Sequence, residues 1–252
     1  MTEGATKDSK GFSLIELALV LAIVGLLVGS IVPILTALQQ QRSNQETRKT
    51  LAVAMEALLG FAAANGRLPC PATTDTTGNE SPEGGGICTN PEGFLPAVTL
   101  GVAPVDGQGY ALDAWGARLR YAVADSTTTN RTCVDAGRTA VFTTSNCMRA
   151  VTMAALAPNL SVCNAGCVAP LISKTPAVIY STGGNFASGG HDRDERENPN
   201  PNSGSFPDPT PRRFISHEPT PPESADGEFD DIVVWLSPNI LYARLIAAGR
   251  LP

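Results

Sequence analysis

The chain has 252 residues, with 18 Lys and Arg against 24 Asp and Glu and a formal net charge of −6. That length accommodates one sizeable domain or two small ones, and the negative balance argues against general nucleic-acid binding. Only 17% of residues are charged, which is low for a soluble protein; an N-terminal apolar run accounts for part of the deficit.

The first ten residues are polar and include Lys7 and Lys10. An apolar run follows, and between Leu17 and Leu38 only Ser30 and Thr36 are clearly polar. A run of that length suffices for a membrane-spanning helix. A cleaved secretory signal fits poorly, because its apolar core is about 7–15 residues and ends at a small-x-small site. Here "ILTALQQQ" places Leu35 where a small residue is required. Arg42, Arg48 and Lys49 follow the run, so basic residues flank both ends and do not set its orientation. Near its start stands Glu16. A carboxylate in hydrocarbon costs about 2.5 kcal/mol or more at the bilayer centre and calls for a reason.

The stretch "KGFSLIE", with Lys10, Gly11, Phe12 and Glu16, leads into the apolar run and Pro33. Together these resemble the processing site of type IV pilins and type II secretion pseudopilins. The resemblance implies that prepilin peptidase removes residues 1–11, cutting between Gly11 and Phe12 and leaving N-methylphenylalanine at Phe12. Residues 12–38 would form the transmembrane and filament-core helix. The N-terminus would be cytoplasmic, the helix would lie in the bacterial inner membrane, and the C-terminal domain would be periplasmic. Partners would be the peptidase/methyltransferase, other pilin or pseudopilin subunits and an inner-membrane assembly platform. Cleavage would create an ammonium on Phe12, four residues before Glu16 on the same helix face. The ammonium of one subunit meeting Glu16 of its neighbour would compensate a buried charge, and the family uses this Glu to register subunits. Pro33 lacks an N–H and crowds the carbonyl of Gly29, so the helix is weak from Gly25 to Pro33. An ordinary kink in a lone membrane anchor is the alternative.

Residues 39–66 continue the helix. Leu51, Met55, Leu58, Leu59 and Ala62 recur at helical spacing and predict a core-facing stripe. Asn65-Gly66 signals the C-terminus, and Pro69 and Pro71 prevent continuation. Residues 67–252 form the globular domain. "ARLRYAVAD" alternates Leu119, Tyr121 and Val123 with Arg118 and Arg120, predicting a strand with one arginine face. Further strands are predicted at Arg149 to Ala154, Ala177 to Ser181, Arg212 to Ser216 and Phe229 to Leu236. Loops rich in Gly, Pro, Ser and Asn run from Thr73 to Pro91 and from Phe186 to Pro211. Ser237 and Pro238 open a short terminal helix that stops at Gly249. The expected fold is α+β, a long N-terminal helix packed on an antiparallel β-sheet in pilin-like fashion. "DAWGARLRY" and "DGEFDDIVVW" resemble motifs of major pseudopilins, with Ala114 in place of a proline.

Cys70, Cys88, Cys133, Cys147, Cys163 and Cys167 all lie beyond the apolar run. An even count there points to disulfides in an oxidising compartment. A zinc site is the competing reading, without a Cys-x-x-Cys pair to support it. Sequence neighbours would pair 70 with 88, 133 with 147 and 163 with 167, though six cysteines leave the connectivity open. The loops "GHDRDEREN" and "ESADGEFDD" concentrate carboxylates that could face one another. Hard cations take such oxygens, and similar pseudopilins bind calcium in a C-terminal loop. This marks Asp226, Glu228, Asp230 and Asp231 as candidates, a solvated acidic surface being the alternative. No cofactor is otherwise required. His191 and His217 lack paired ligand spacing and are expected at the surface. No nucleophile, phosphate-binding or metalloprotease motif occurs. The sequence therefore reads as a non-enzymatic filament subunit of a type IV pilus or a type II secretion pseudopilus, the alternative being a pilus-displayed adhesin or DNA-uptake module.

Overall fold

The computed structural model describes residues 14–124, 134–135, 138–139, 141–150, 158–187, 192–198 and 212–251; the side chains of 28–36, 134–135 and 138–139 are not described. One helix, α1 (Leu14–Asn65), runs through two units, the first comprising residues 1–43 and the second 44–252.

In the first unit every described side chain of α1 from Leu14 to Leu27 is exposed. In the second unit the helix is amphipathic. Thr47, Leu51, Ala54, Leu58 and Ala62 are fully buried, and their spacing of three and four residues places them on one face. Met55 packs at the margin of this core and Leu59 lies within it. Gly66 ends the helix with φ +70°, and its N–H donates to the Ala62 carbonyl at 2.7 Å. From the far end of the chain, the Arg250 guanidinium donates to the carbonyls of Ala63 (3.1 Å) and Ala64. A cation there also complements the negative end of the helix dipole.

The main sheet is four-stranded and antiparallel, ordered β1 (Glu92–Phe94), β2 (Arg120–Val123), β7 (Ala177–Ser181), β9 (Ile232–Trp235). With α1 it forms the predicted α+β arrangement. Short elements lie between these strands: α2 (Ala97–Leu100), the β3 (Val134–Asp135) and β4 (Arg138–Thr139) ladder, and α3 (Ser145–Ala150). A second sheet is mixed: β5 (Leu160–Cys163) pairs antiparallel with β6 (Pro170–Thr175) and parallel with β8 (Arg212–Ile215). The chain closes with α4 (Pro238–Ala247), which has Pro238 in its first turn and Ser237 at the N-cap position without a side-chain capping bond.

β2 departs from its predicted one-sided pattern, because all four residues are buried. Arg120 lies over the Phe94 ring at 4.1 Å instead of facing solvent. The second sheet covers that face. The Tyr180 and Phe214 rings meet at 5.4 Å, and Arg212 of β8 bonds Glu92 of β1 at 2.7 Å. Tyr180 Oη donates to the same carboxylate at 2.7 Å. Burial nevertheless holds Glu92 above its usual range, outweighing the Arg212 charge.

The strand predicted at Arg149 to Ala154 is not formed at its start, where Ser145–Ala150 is helical. Met, Arg and Ala favour helix, Met148 is fully buried, and Thr144 receives the N–H groups of Cys147 and Met148. Residues 151–154 of the predicted strand lie outside the described residues. The loop predicted from Thr73 to Pro91 is closed by the Cys70–Cys88 disulfide. It is also pinned by a buried two-bond pair of Arg67 and Glu80 at 2.6 and 2.7 Å.

Candidate functional site

Two regions carry the predicted functional residues. Gly11 and Phe12 lie outside the described residues. Glu16 sits in the first turn of α1 and is exposed. Pro33 falls within α1, its side chain outside the described residues. Leu14 is 87% exposed and Leu26 77%. A helix apolar around its whole circumference has no solvent-facing side, so this segment demands a nonpolar environment or partner helices. Among the described residues, no helix is long and apolar enough to cross a membrane.

The second region is built from three loops of the other unit. The "DAWG" motif opens it: Asp113 Oδ1 accepts the N–H groups of Trp115 (2.9 Å) and Ala117 (2.8 Å), closing a turn. Thr47 of α1 holds the motif through the Ala114 N–H at 3.1 Å. The other Asp113 oxygen accepts from Ser181 Oγ at 2.6 Å, at the end of β7. Burial raises the Asp113 carboxyl despite these bonds. From Ser181 the chain turns so that the N–H groups of Gly184 (2.7 Å) and Asn185 (3.2 Å) both donate to Asp230 Oδ2. Gly183 makes this approach possible, with φ +64° and a Cβ position that would lie 2.0 Å from Asp230 Oδ1.

The third loop, residues 192–198, ties the others together with its side chains. Asp192 accepts the Glu228 N–H at 2.9 Å, and Glu195 accepts from Asn185 Nδ2 at 2.9 Å. Asn198 imitates a strand neighbour: it donates to the Ile215 carbonyl and accepts the Ile215 N–H, at 2.8 and 2.9 Å. It also donates to Asp231 Oδ2 at 2.9 Å. The result is a convergence of Glu195, Asp230 and Asp231, all buried, with one oxygen from each within 4.8 Å of the others. Asp230 Oδ1 is buried and accepts no hydrogen bond. Burial, with Glu195 nearby, pushes Asp230 up to about 6 and Asp231 well above the usual carboxylate range. An orphaned oxygen among packed carboxyls is the environment a hard cation satisfies.

The two acidic loops do face one another, as their composition suggested, but the predicted quartet does not converge as a whole. Asp226 is exposed and paired with Arg193 at 3.2 Å. Glu228 contributes its backbone N–H to the fold, through Asp192. Glu195 takes the third position, and nothing in its charged surroundings singled it out. His217 departs from its expected surface position. It stacks on Phe229 at 3.8 Å, with Nε2 3.3 Å from the buried Asp194. His191 lies outside the described residues. The Cys70–Cys88 and Cys163–Cys167 pairs are formed as sequence neighbours suggested. Cys147 is also disulfide-bonded, and its expected partner Cys133 lies outside the described residues.

No curated protein and no solved structure matches the chain. Residues 6–32, however, match the family model of the prokaryotic N-terminal methylation motif. The chain therefore carries at its N-terminus the signature of type IV pilin and pseudopilin substrates of prepilin peptidase.

Proposed function

We propose that this chain is a structural subunit of a type IV pilus or type II secretion pseudopilus, inserted in the inner membrane and assembled through α1. The observation that carries this reading is the methylation motif at residues 6–32, which opens a helix exposed on all sides from Leu14 to Leu27. Prepilin peptidase cuts after Gly11 and methylates Phe12. The span extends from Phe12 to Leu38, with its N-terminus cytoplasmic, and is drawn into the filament by an inner-membrane platform. Glu16 pairs with the Phe12 ammonium of a neighbouring subunit, each charge offsetting the burial of the other. The chain catalyses no reaction of its own.

Co-expression with a prepilin peptidase and intact mass measurement test the reading. The wild type is expected to lose residues 1–11 and gain one methyl, and Gly11→Ala to remain full length. An intact wild-type leader under active peptidase would sink it.

Glu195, Asp230 and Asp231 form the cation site of this subunit, with calcium as the ion that suits buried carboxylates on loops. Calcium should raise the unfolding temperature of the wild type and leave that of Asp230→Asn unmoved. A wild type indifferent to millimolar calcium removes the site.

A further inference from the structure

We propose that Cys163–Cys167 is a thiol–disulfide exchange site, opened by an external dithiol without unfolding of the domain. The proposal stands on this loop alone and does not depend on filament assembly.

The two described disulfides occupy opposite environments. Cys70 and Cys88 belong to the main core, at 0% and 6% exposure, and the Cys70 N–H is held by the buried Glu80 at 3.1 Å. Cys163–Cys167 closes a far shorter loop, with a sequence separation of 4 against 18. A shorter loop constrains the unfolded chain less, so the fold depends less on this bond. Cys163 is buried against Ile215 and Phe229, whereas Cys167 is half-buried. The neighbours of Cys167 are open, Gly166 being exposed and Val168 86% exposed. An attacking thiolate therefore reaches Cys167 and not Cys163.

The charge on this side suits the chemistry. The Arg193 guanidinium lies over Gly166, where a Cβ would sit 3.0 Å from Nη2. Its side chain is more than half exposed and also pairs with Asp194 and Asp226. An exposed guanidinium on the side from which Cys167 is reached attracts the anionic thiolate that attacks it. Cys167 has φ +52°, a left-handed conformation unusual for a residue with a Cβ. Noncovalent bonds hold that conformation: the Cys167 N–H donates to the Asn164 carbonyl, the Ala169 N–H to Asn164 Oδ1 and the Gly166 N–H to Asp194, each at 2.9 Å. With these in place the loop stays formed when the disulfide opens.

In the exchange, one thiolate of the dithiol attacks Cys167 Sγ. A new S–S bond forms to Cys167 as the Cys163–Cys167 bond breaks, and Cys163 leaves as thiolate and takes a proton. The second thiol of the reagent then attacks the mixed disulfide, releasing Cys167 as a thiol. The protein disulfide gains two electrons and two protons, and the dithiol becomes a disulfide.

The full chain in detergent is titrated with dithiothreitol, quenched with N-ethylmaleimide and mapped by peptide mass. Cys163 and Cys167 are expected to label at about a tenth of the dithiothreitol needed to label Cys70 and Cys88, with tryptophan fluorescence unchanged. Labelling of both pairs together, or a fluorescence change in step with Cys163–Cys167 opening, overturns the proposal. Arg193→Gln is expected to slow labelling of Cys163 and Cys167 about threefold or more, and Arg193→Lys to restore most of the rate. An Arg193→Gln rate equal to wild type overturns the role given to the guanidinium. The Cys70–Cys88 pair serves as the internal control for folding in each variant.

Discussion

The two halves of α1 are one helix under two regimes. From Thr47 to Ala62 the apolar residues concentrate on one face, where Leu51, Ala54, Leu58 and Ala62 are fully buried by the domain's own core, and Val53, off that face, is 55% exposed. From Leu14 to Leu27 they surround the axis, and all of them are exposed. The first pattern is satisfied within a single chain. The second is satisfied only by lipid or by other helices, so its solution lies outside the molecule. A long helix in a small protein can thus meet two environments along its length, even with Pro33 interrupting its hydrogen-bond ladder.

Truncating a leucine on each side should separate the two regimes. Leu58→Ala should lower the stability of the domain by about 3 kcal/mol, since a fully buried leucine is lost and a cavity remains. Leu21→Ala should leave it within about 0.5 kcal/mol. Urea midpoints for the two variants in detergent decide the matter, and equal losses would mean that both halves serve the same core.

Next in size is a pH effect confined to the globular unit. Asp230 is held up to about 6 and Asp231 well above the ordinary range. In the metal-free protein the folded state keeps protons that the unfolded chain gives up. Stability is therefore full below about pH 4 for these groups and declines as pH rises through about 6. For Asp230 the difference amounts to about 3 kcal/mol. In chelator, urea midpoints should fall between about pH 5 and pH 7.5, and Asp230→Asn should flatten that part of the profile. A midpoint that climbs over this interval contradicts the burial of an uncompensated cluster.

The smallest effect on stability, and the largest on assembly, is expected at Glu16. Glu16→Ala should not move the unfolding transition, because the side chain is exposed in the isolated chain. Incorporation into filaments, read by shearing and immunoblot, should collapse. Normal incorporation would deny Glu16 its registering role.

Much of this was legible where one physical rule dominates. The stripe from Leu51 to Ala62 obeys helical period, and β7 falls at Ala177–Ser181 as its pattern indicates. The N-terminal motif was legible because residue types, spacing and a long apolar run coincide. The rest depended on partners distant in sequence. Arg120 reads as solvent-facing until the second sheet meets this face through Tyr180 and Glu92. That sheet joins β5 to β8 in parallel across about fifty residues, and local pattern carries no trace of such a pairing. Glu195 is one acid among several in a charged stretch. Only its bond to Asn185 and its meeting with Asp230 and Asp231 separate it from the others. Asp230 and Asp231 also delay β9, which begins at Ile232 although strand-like residues start at Phe229.

The hold of Arg250 on Ala63 and Ala64 joins residues 187 and 186 positions apart. Tension applied to a subunit through α1 would arrive at this seam. The last turn of α1 is fastened there by Arg250, so a pull along the helix is resisted by that side chain as well as by the core packed on Leu51, Leu58 and Ala62.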